Sequence, residues 1–206
     1  NGTQTAADGT YSFYLPAGTS TLGFSPPAGY LGDSTTVTVV DRGVTVPDMA
    51  LAAGAIVSGQ IVDPGGLPVS NAHLQAYAAS TLNNTPYSAD TDANGKFQLT
   101  LPNGDWDIQI QAPAATGLAP QWYTGLAGGS PTPAGAKAIQ VAGSDQNLGQ
   151  ISLGKGTVVS GQVTDKTGLI PVVNAYVTAN NTSLPNPPNA FTTTDSNGNY
   201  SFVVSD

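Results

Sequence analysis

One block of sequence occurs twice and limits what this chain can fold into. Residues 54–77 read GAIVSGQIVDPGGLPVSNAHLQAY, and residues 156–177 read GTVVSGQVTDKTGLIPVVNAYV. Each copy gives an apolar strand, a Ser-Gly-Gln step, a second short strand, an Asp-led turn, a Pro-Val step and a further alternating strand. Gly54 and Gly156 lie 102 positions apart, and Pro68 and Pro171 lie 103 apart. A period of about one domain length makes a tandem array the frame for every other reading.

The repeat extends in the other direction. Residues 36–51, TVTVVDRGVTVPDMAL, lie over 138–153, AIQVAGSDQNLGQISL, at the same offset of 102. Leu15-Pro16-Ala17-Gly18 lies over Leu101-Pro102-Asn103-Gly104 at an offset of 86. The difference of 16 places an insertion in the middle unit, within 112–136. The chain thus divides into 1–52, the back half of a unit; 53–154, a complete unit; and 155–206, the front half of a third.

Runs of β-branched and alternating residues predict seven strands in the complete unit, near 55–63, 72–80, 86–91, 96–101, 105–111, 137–142 and 147–153. The 25 Gly and 16 Pro among 206 residues supply the turns between them. The expected fold is all-β: tandem seven-stranded antiparallel β-sandwiches of transthyretin-like or Ig-like type, one complete and two partial. A half-sandwich of about 50 residues buries too little surface to stand alone and leaves strand edges open. Either further repeats of the same chain or a neighbouring copy would complete it. In the second case 155–206 of one chain and 1–51 of another would build a joint domain by strand addition. The two halves overlap slightly, because residues 5–17 and 195–206 both correspond to 91–103.

The pattern GxxxSGxVxDxxGxPVxxAxVxA followed by TDxxGxFxLxLPxGxW resembles the carboxypeptidase regulatory-like domains, which group with transthyretin-like and collagen-adhesin B-type sandwiches. It is carried by Ser58, Gly59, Asp63, Pro68, Val69, Ala72, Asp92, Gly95, Phe97, Leu101 and Pro102. Ser160, Gly161, Asp165, Pro171, Val172, Ala175, Asp195, Gly198 and Tyr200 carry it again. The resemblance implies spacers, stalks and accessory modules of secreted or surface proteins. Asn71 and Asn174 stand where the family often has Gly, and Asn tolerates the left-handed backbone best among the other residues. Collagen-adhesin domains often carry a Lys-Asn isopeptide bond promoted by Glu. This chain has no Glu, and Lys155 precedes the repeat strand rather than lying in it, so no such bond is expected.

Charge and composition exclude several functions. Five basic residues against 13 acidic ones give a net charge of −8, the wrong sign for phosphate binding, so no nucleic-acid partner is expected. There is no Cys, hence no disulfide framework or thiolate metal site, and no apolar run approaches a membrane span. His73 is the single histidine, and no nucleophile-elbow sequence accompanies it. Asp105 and Asp107 fall on one face of a strand and read as outward alternation around a core-facing Trp106. No catalytic residues are therefore assigned, and the chain is not expected to be an enzyme.

Two weaker candidates remain. Asp90, Asp92 and Asn94 alternate before Gly95, as in the first half of a calcium-binding loop. The competing reading is a hairpin turn in which Asn94-Gly95 supplies positive φ, and no Glu completes a calcium site, so no cofactor is assigned. Trp122 and Tyr123 lie in the insertion, where they could pack back onto the sandwich, contact another subunit or stack on a glycan. Asn1, Asn83, Asn180, Asn181 and Asn199 head Asn-x-Ser/Thr triplets. The functional expectation is a structural repeat segment of an extracellular or cell-surface protein, forming a stalk, sheath or filament through contacts with its own kind. The alternative is a carbohydrate- or matrix-binding accessory module, with surface polysaccharide as partner.

Overall fold

A computed structural model describes residues 2–40, 43–80, 87–179 and 190–205. The chain separates into two compact units, 1–53 and 54–206. Among the described residues, the first holds one antiparallel pair, β1 (Gly18–Phe24) and β2 (Asp33–Val39).

The second unit contains the complete sandwich. Its strands are β3 (Ala55–Val62), β4 (His73–Ala78), β5 (Tyr87–Asp90), β6 (Lys96–Leu101), β7 (Gly104–Gln111), β8 (Gln121–Trp122), β9 (Ile139–Val141) and β10 (Gln146–Ser152). One sheet runs β10-β3-β6. The other runs β5-β4-β7-β8, with β9 also paired to β7. Alternate residues of both sheets point inward and bury Val57, Ile61, Leu74, Ala76, Leu99, Leu101, Ile108 and Ile110. This is the period-two pattern of strands with one face on a core.

All seven expected strands are present, each within about two residues of its expected bounds. Two features differ from expectation. β10 pairs with β3 in parallel, so the sandwich is not purely antiparallel. Periodicity reveals which face a strand buries but not which neighbour it chooses. The insertion also adds β8, two residues hydrogen-bonded to β7.

The remainder of the second unit is the repeat's front half. It comprises β11 (Thr157–Gln162), β12 (Tyr176–Ala179), β13 (Ala190–Thr193) and β14 (Asn199–Val204), arranged as two pairs, β11-β14 and β12-β13. These reproduce β3-β6 and β4-β5. β1 and β2 reproduce β7 and β9: Gly18↔Val39 and Ser20↔Val37 occupy the register of Gly104↔Val141 and Trp106↔Ile139. Offsets of 86 and 102 along the sequence therefore reappear as one geometry.

Candidate assembly interface

The repeated string builds the same local structure twice. Gln60 donates from Nε2 to the Asn94 carbonyl at 2.9 Å, and Gln162 to the Asn197 carbonyl at 2.8 Å. The buried Thr91 hydroxyl donates to the Val69 carbonyl and accepts from the Ala72 N–H. Thr194 does the same with Val172 and Ala175. Asn71 and Asn174 take φ of 55° and 57°. Gly95 and Gly198 have positive φ, and a Cβ on either would lie 2.5 Å from a backbone carbonyl, that of Ile61 or Val163. Only glycine fits that approach. Thr91 and Thr194 received no role from the sequence, because a Thr in a polar turn carries no periodic signal.

What differs is burial. Val57 is 0% exposed and its counterpart Val159 is 37%; Val69 is 5% and Val172 is 36%. Val158, Val173, Tyr176 and Phe191 are exposed as well. Among the described residues, no strand pairs with β11 on the edge corresponding to the one of β3 that β10 covers, nor with β12 on the edge corresponding to the one of β4 that β7 covers.

The first unit is the complementary case. Phe97, Leu99 and Leu101 are at most 2% exposed, whereas Tyr11, Phe13 and Leu15 at the matching positions are only half-buried. They line an open cavity of about 940 Å³ with Leu22, Phe24, Met49 and Leu51. Residues 44–50, which match β10, form no strand.

Each unit closes on a similar clasp. Leu118 bridges Lys155, and the Ala119 N–H donates to the Gly154 carbonyl at 2.9 Å. Tyr30 bridges Ala53, and the Leu31 N–H donates to the Ala52 carbonyl at 2.8 Å. The insertion therefore falls largely after Ala119. Around it the front half-unit is fastened to the complete sandwich. The Gly156 N–H donates to the Gly117 carbonyl, and Ser205 Oγ donates to the Pro120 carbonyl at 2.6 Å. Val204, Val203 and Ala119 crowd Gly156 so closely that no Cβ fits. This fastening places 155–205 in one compact unit with 54–154.

The sequence candidates for chemistry do not converge. Asp92 Oδ1 accepts the N–H groups of Asn94 and Lys96, both at 2.8 Å, and so closes the turn on itself. Asp90 Oδ1 instead lies 2.7 Å from His73 Nδ1 across β4 and β5, while the Asn94 carbonyl is taken by Gln60. That arrangement is a hairpin turn closed by its own hydrogen bonds. Among the described residues no group of three His, Asp or Glu side chains could hold a metal. In the front half-unit, Asp195 repeats the turn, and the N–H groups of Asn199 and then Asn197 hold its pKa below the ordinary carboxylate value. Asp165 is lowered first by the Thr167 hydroxyl and then by the Ile170 N–H.

Trp122 and Tyr123 are 5% and 9% exposed, so neither ring offers a platform to a glycan or another subunit. β8 lays Trp122 against Tyr77, ring centroids 5.6 Å apart, and the insertion packs back on the sandwich. Its indole Nε1 and the Gln121 Nε2 are buried with no hydrogen-bond partner. Asp107 also differs from expectation. It stands opposite Tyr77 on this covered face and is 7% exposed. Burial, and then the charge of Asp105, raise its pKa. Trp106 does face the core, donating to the Pro102 carbonyl at 3.0 Å. Of the Asn-x-Ser/Thr positions, Asn199 lies in β14, and Asn1, Asn83, Asn180 and Asn181 lie outside the described residues.

No helix among the described residues is long and apolar enough to cross a membrane. No match was found among curated proteins. Among solved structures, the chain is similar to the Bacillus anthracis TIE protein, at 16% identity and a TM-score of 0.35, over 84% of this chain and 29% of that one. It is also similar to a streptococcal ancillary pilin, at 13% identity and a TM-score of 0.36, over 93% of this chain and 64% of that one. The chain thus spans less than two thirds of either. The carboxypeptidase regulatory-like domain model matches residues 56–139, covering β3 through the start of β9. The middle unit of this chain is a carboxypeptidase regulatory-like domain.

Proposed function

We propose that this chain is a structural repeat segment of an extracellular surface protein, building a stalk, sheath or filament through end-to-end contacts between β-sandwiches. One observation carries the reading: one sandwich geometry recurs along the chain, with β11-β14 repeating β3-β6 and β1-β2 repeating β7-β9, so like units stand in tandem. Large exposed apolar surface rimmed by open strand edges marks an association surface. The clasp at 117–120 and 154–156 supports a mechanical role, because it fastens consecutive units through backbone hydrogen bonds as well as a linker. The absence of Cys and the acidic, Gly- and Thr-rich composition suit an exposed surface.

On this reading the chain has no catalytic role and no resident cofactor. The carbohydrate-binding alternative loses its support, since the two aromatics that motivated it are buried. The test is electron microscopy and light scattering of the 206-residue chain over a concentration series. Elongated particles of uniform width that lengthen with concentration are expected. A globular monomer at every concentration would sink the proposal.

A further inference from the structure

We propose that the outward face of the β12-β13 pair binds an uncharged glycan, with Tyr176 and Phe191 as its stacking platform. Such a site goes beyond the structural reading above and stands without it. These are not the aromatics of the insertion, which are buried.

Register fixes which way the two rings point. In the middle unit Leu74 lies opposite Ala89 across β4 and β5, and both pack in the core. Val177 and Thr192 form the matching pair across β12 and β13, so they take the inward side. Alternation puts Tyr176, Thr178, Phe191 and Thr193 on the other side. Exposure follows the same division: those four are exposed, while Val177 and Thr192 are half-buried. The rings therefore turn away from the sandwich interior, and their openness is not that of an uncovered core. The complete unit shows the same thing. At the matching positions the His73 and Asp90 side chains are 42% and 68% exposed, although the core behind them is closed.

Nothing in the fold calls for aromatic rings at these positions. The middle unit fills them with His73, Gln75, Ser88 and Asp90, and sets His73 Nδ1 2.7 Å from Asp90 Oδ1. β12 and β13 carry no charged side chain. Tyr176 and Phe191 instead contact each other, with ring centroids 5.8 Å apart and planes 32° apart. Tyr176 is nevertheless 65% exposed and Phe191 46%.

Chemistry selects the occupant. The face of an aromatic ring is negative, and the axial C–H groups of a pyranose are apolar and weakly positive, so the two stack. The sugar hydroxyls then lie within reach of the Thr178 and Thr193 side chains and the Tyr176 phenol. A nucleic-acid base would stack equally well, but its phosphates need basic groups that this face lacks. A protein partner fits less well. A whole aromatic side chain buries about 150–250 Å². Two partly exposed rings and two threonines thus fall far short of the roughly 800 Å² per partner of a stable protein interface.

The test is titration of the 206-residue chain with maltohexaose, cellohexaose and chitohexaose, three uncharged pyranose chains of different linkage and substitution. Calorimetry and saturation-transfer NMR read binding. At least one is expected to bind with a Kd of roughly 1 mM or below. Phe191→Ser installs the residue that the middle unit carries at the same place, so it should fold. Phe191→Ser and Tyr176→Ala should each weaken binding by about tenfold or more. Tyr176→Phe should retain most of it, and Val158→Ala, at an exposed position on β11, should leave it unchanged.

Neither heat nor saturation transfer with any of the three overturns the proposal. Binding that survives Phe191→Ser lies elsewhere on the chain and overturns it too. Loss of self-association in Phe191→Ser, with no sugar bound by the unaltered chain, assigns the face to a second copy instead.

Discussion

The middle sandwich and the front half-unit share turns, caps and strand register, yet their apolar residues live in different environments. Val57 and Val159 follow equivalent backbone paths at 0% and 37% exposure. Local structure is therefore set by short-range terms common to both: an Asp closing a turn, a Thr bonding two backbone groups, and a Gly or Asn at positive φ. Burial is set by what lies across the sandwich. The comparison separates the part of a β-repeat that folds from its own string from the part that needs a second sheet.

The largest test of that separation is truncation in the two cores. Leu74→Ala removes a fully buried side chain and should cost about 2–5 kcal/mol of stability. Val177→Ala, at the matching but half-covered position, should cost less than about 1 kcal/mol in the free chain. Chemical denaturation monitored by Trp fluorescence reads the first, and hydrogen exchange over 155–205 reads the second. Equal losses would mean that the front half is already covered.

Next are the threonines. Thr91→Val keeps the shape but leaves the Ala72 N–H without its partner, at a cost of about 1–3 kcal/mol. Thr194→Val should follow the same direction, because Thr194 is itself buried. A much smaller loss there would mean that water reaches the front half and replaces the bond.

Smaller effects come from the acids, which move in opposite directions with pH. Asp195 has a lowered pKa, so its contribution is full above the ordinary value of 3.8 and is lost as pH falls through the native value. Hydrogen exchange in 195–199 should therefore quicken in acid, and Asp195→Asn should remove that dependence. Asp107 has a raised pKa, so its ionised form opposes folding at neutral pH and protonation relieves the cost on acidification. Asp107→Asn should raise the melting midpoint at pH 7 and abolish the relief. A fall in the midpoint would show that the carboxylate has a partner on the covered face.

Much of this molecule was legible in its string. The period gave the unit, and the alternation at Trp106, Ile108 and Ile110 gave the inward face. The offsets of 86 and 102 are the ones at which β1 and β2 match β7 and β9. Asp90, Asp92 and Asn94 were open between turn and metal loop, because alternating oxygen-bearing residues serve both. In the fold, Asp90 turns toward His73 and Asp92 folds back on its own loop. Asp107 was misread because alternation assigns a face without saying whether that face is roofed, and here the insertion covers it with Trp122.

Sequence alone determined the repeat, the strands and the left-handed turn positions, which are written in local patterns of residues close together in the chain. Only the tertiary structure decided the parallel seat of β10, the burial of Trp122, Tyr123 and Asp107, and the clasp fastening the front half to the complete sandwich. Those are contacts between segments distant in sequence. Hydrophobic burial is non-directional, so a strand pattern records that a face must be covered and leaves open what covers it.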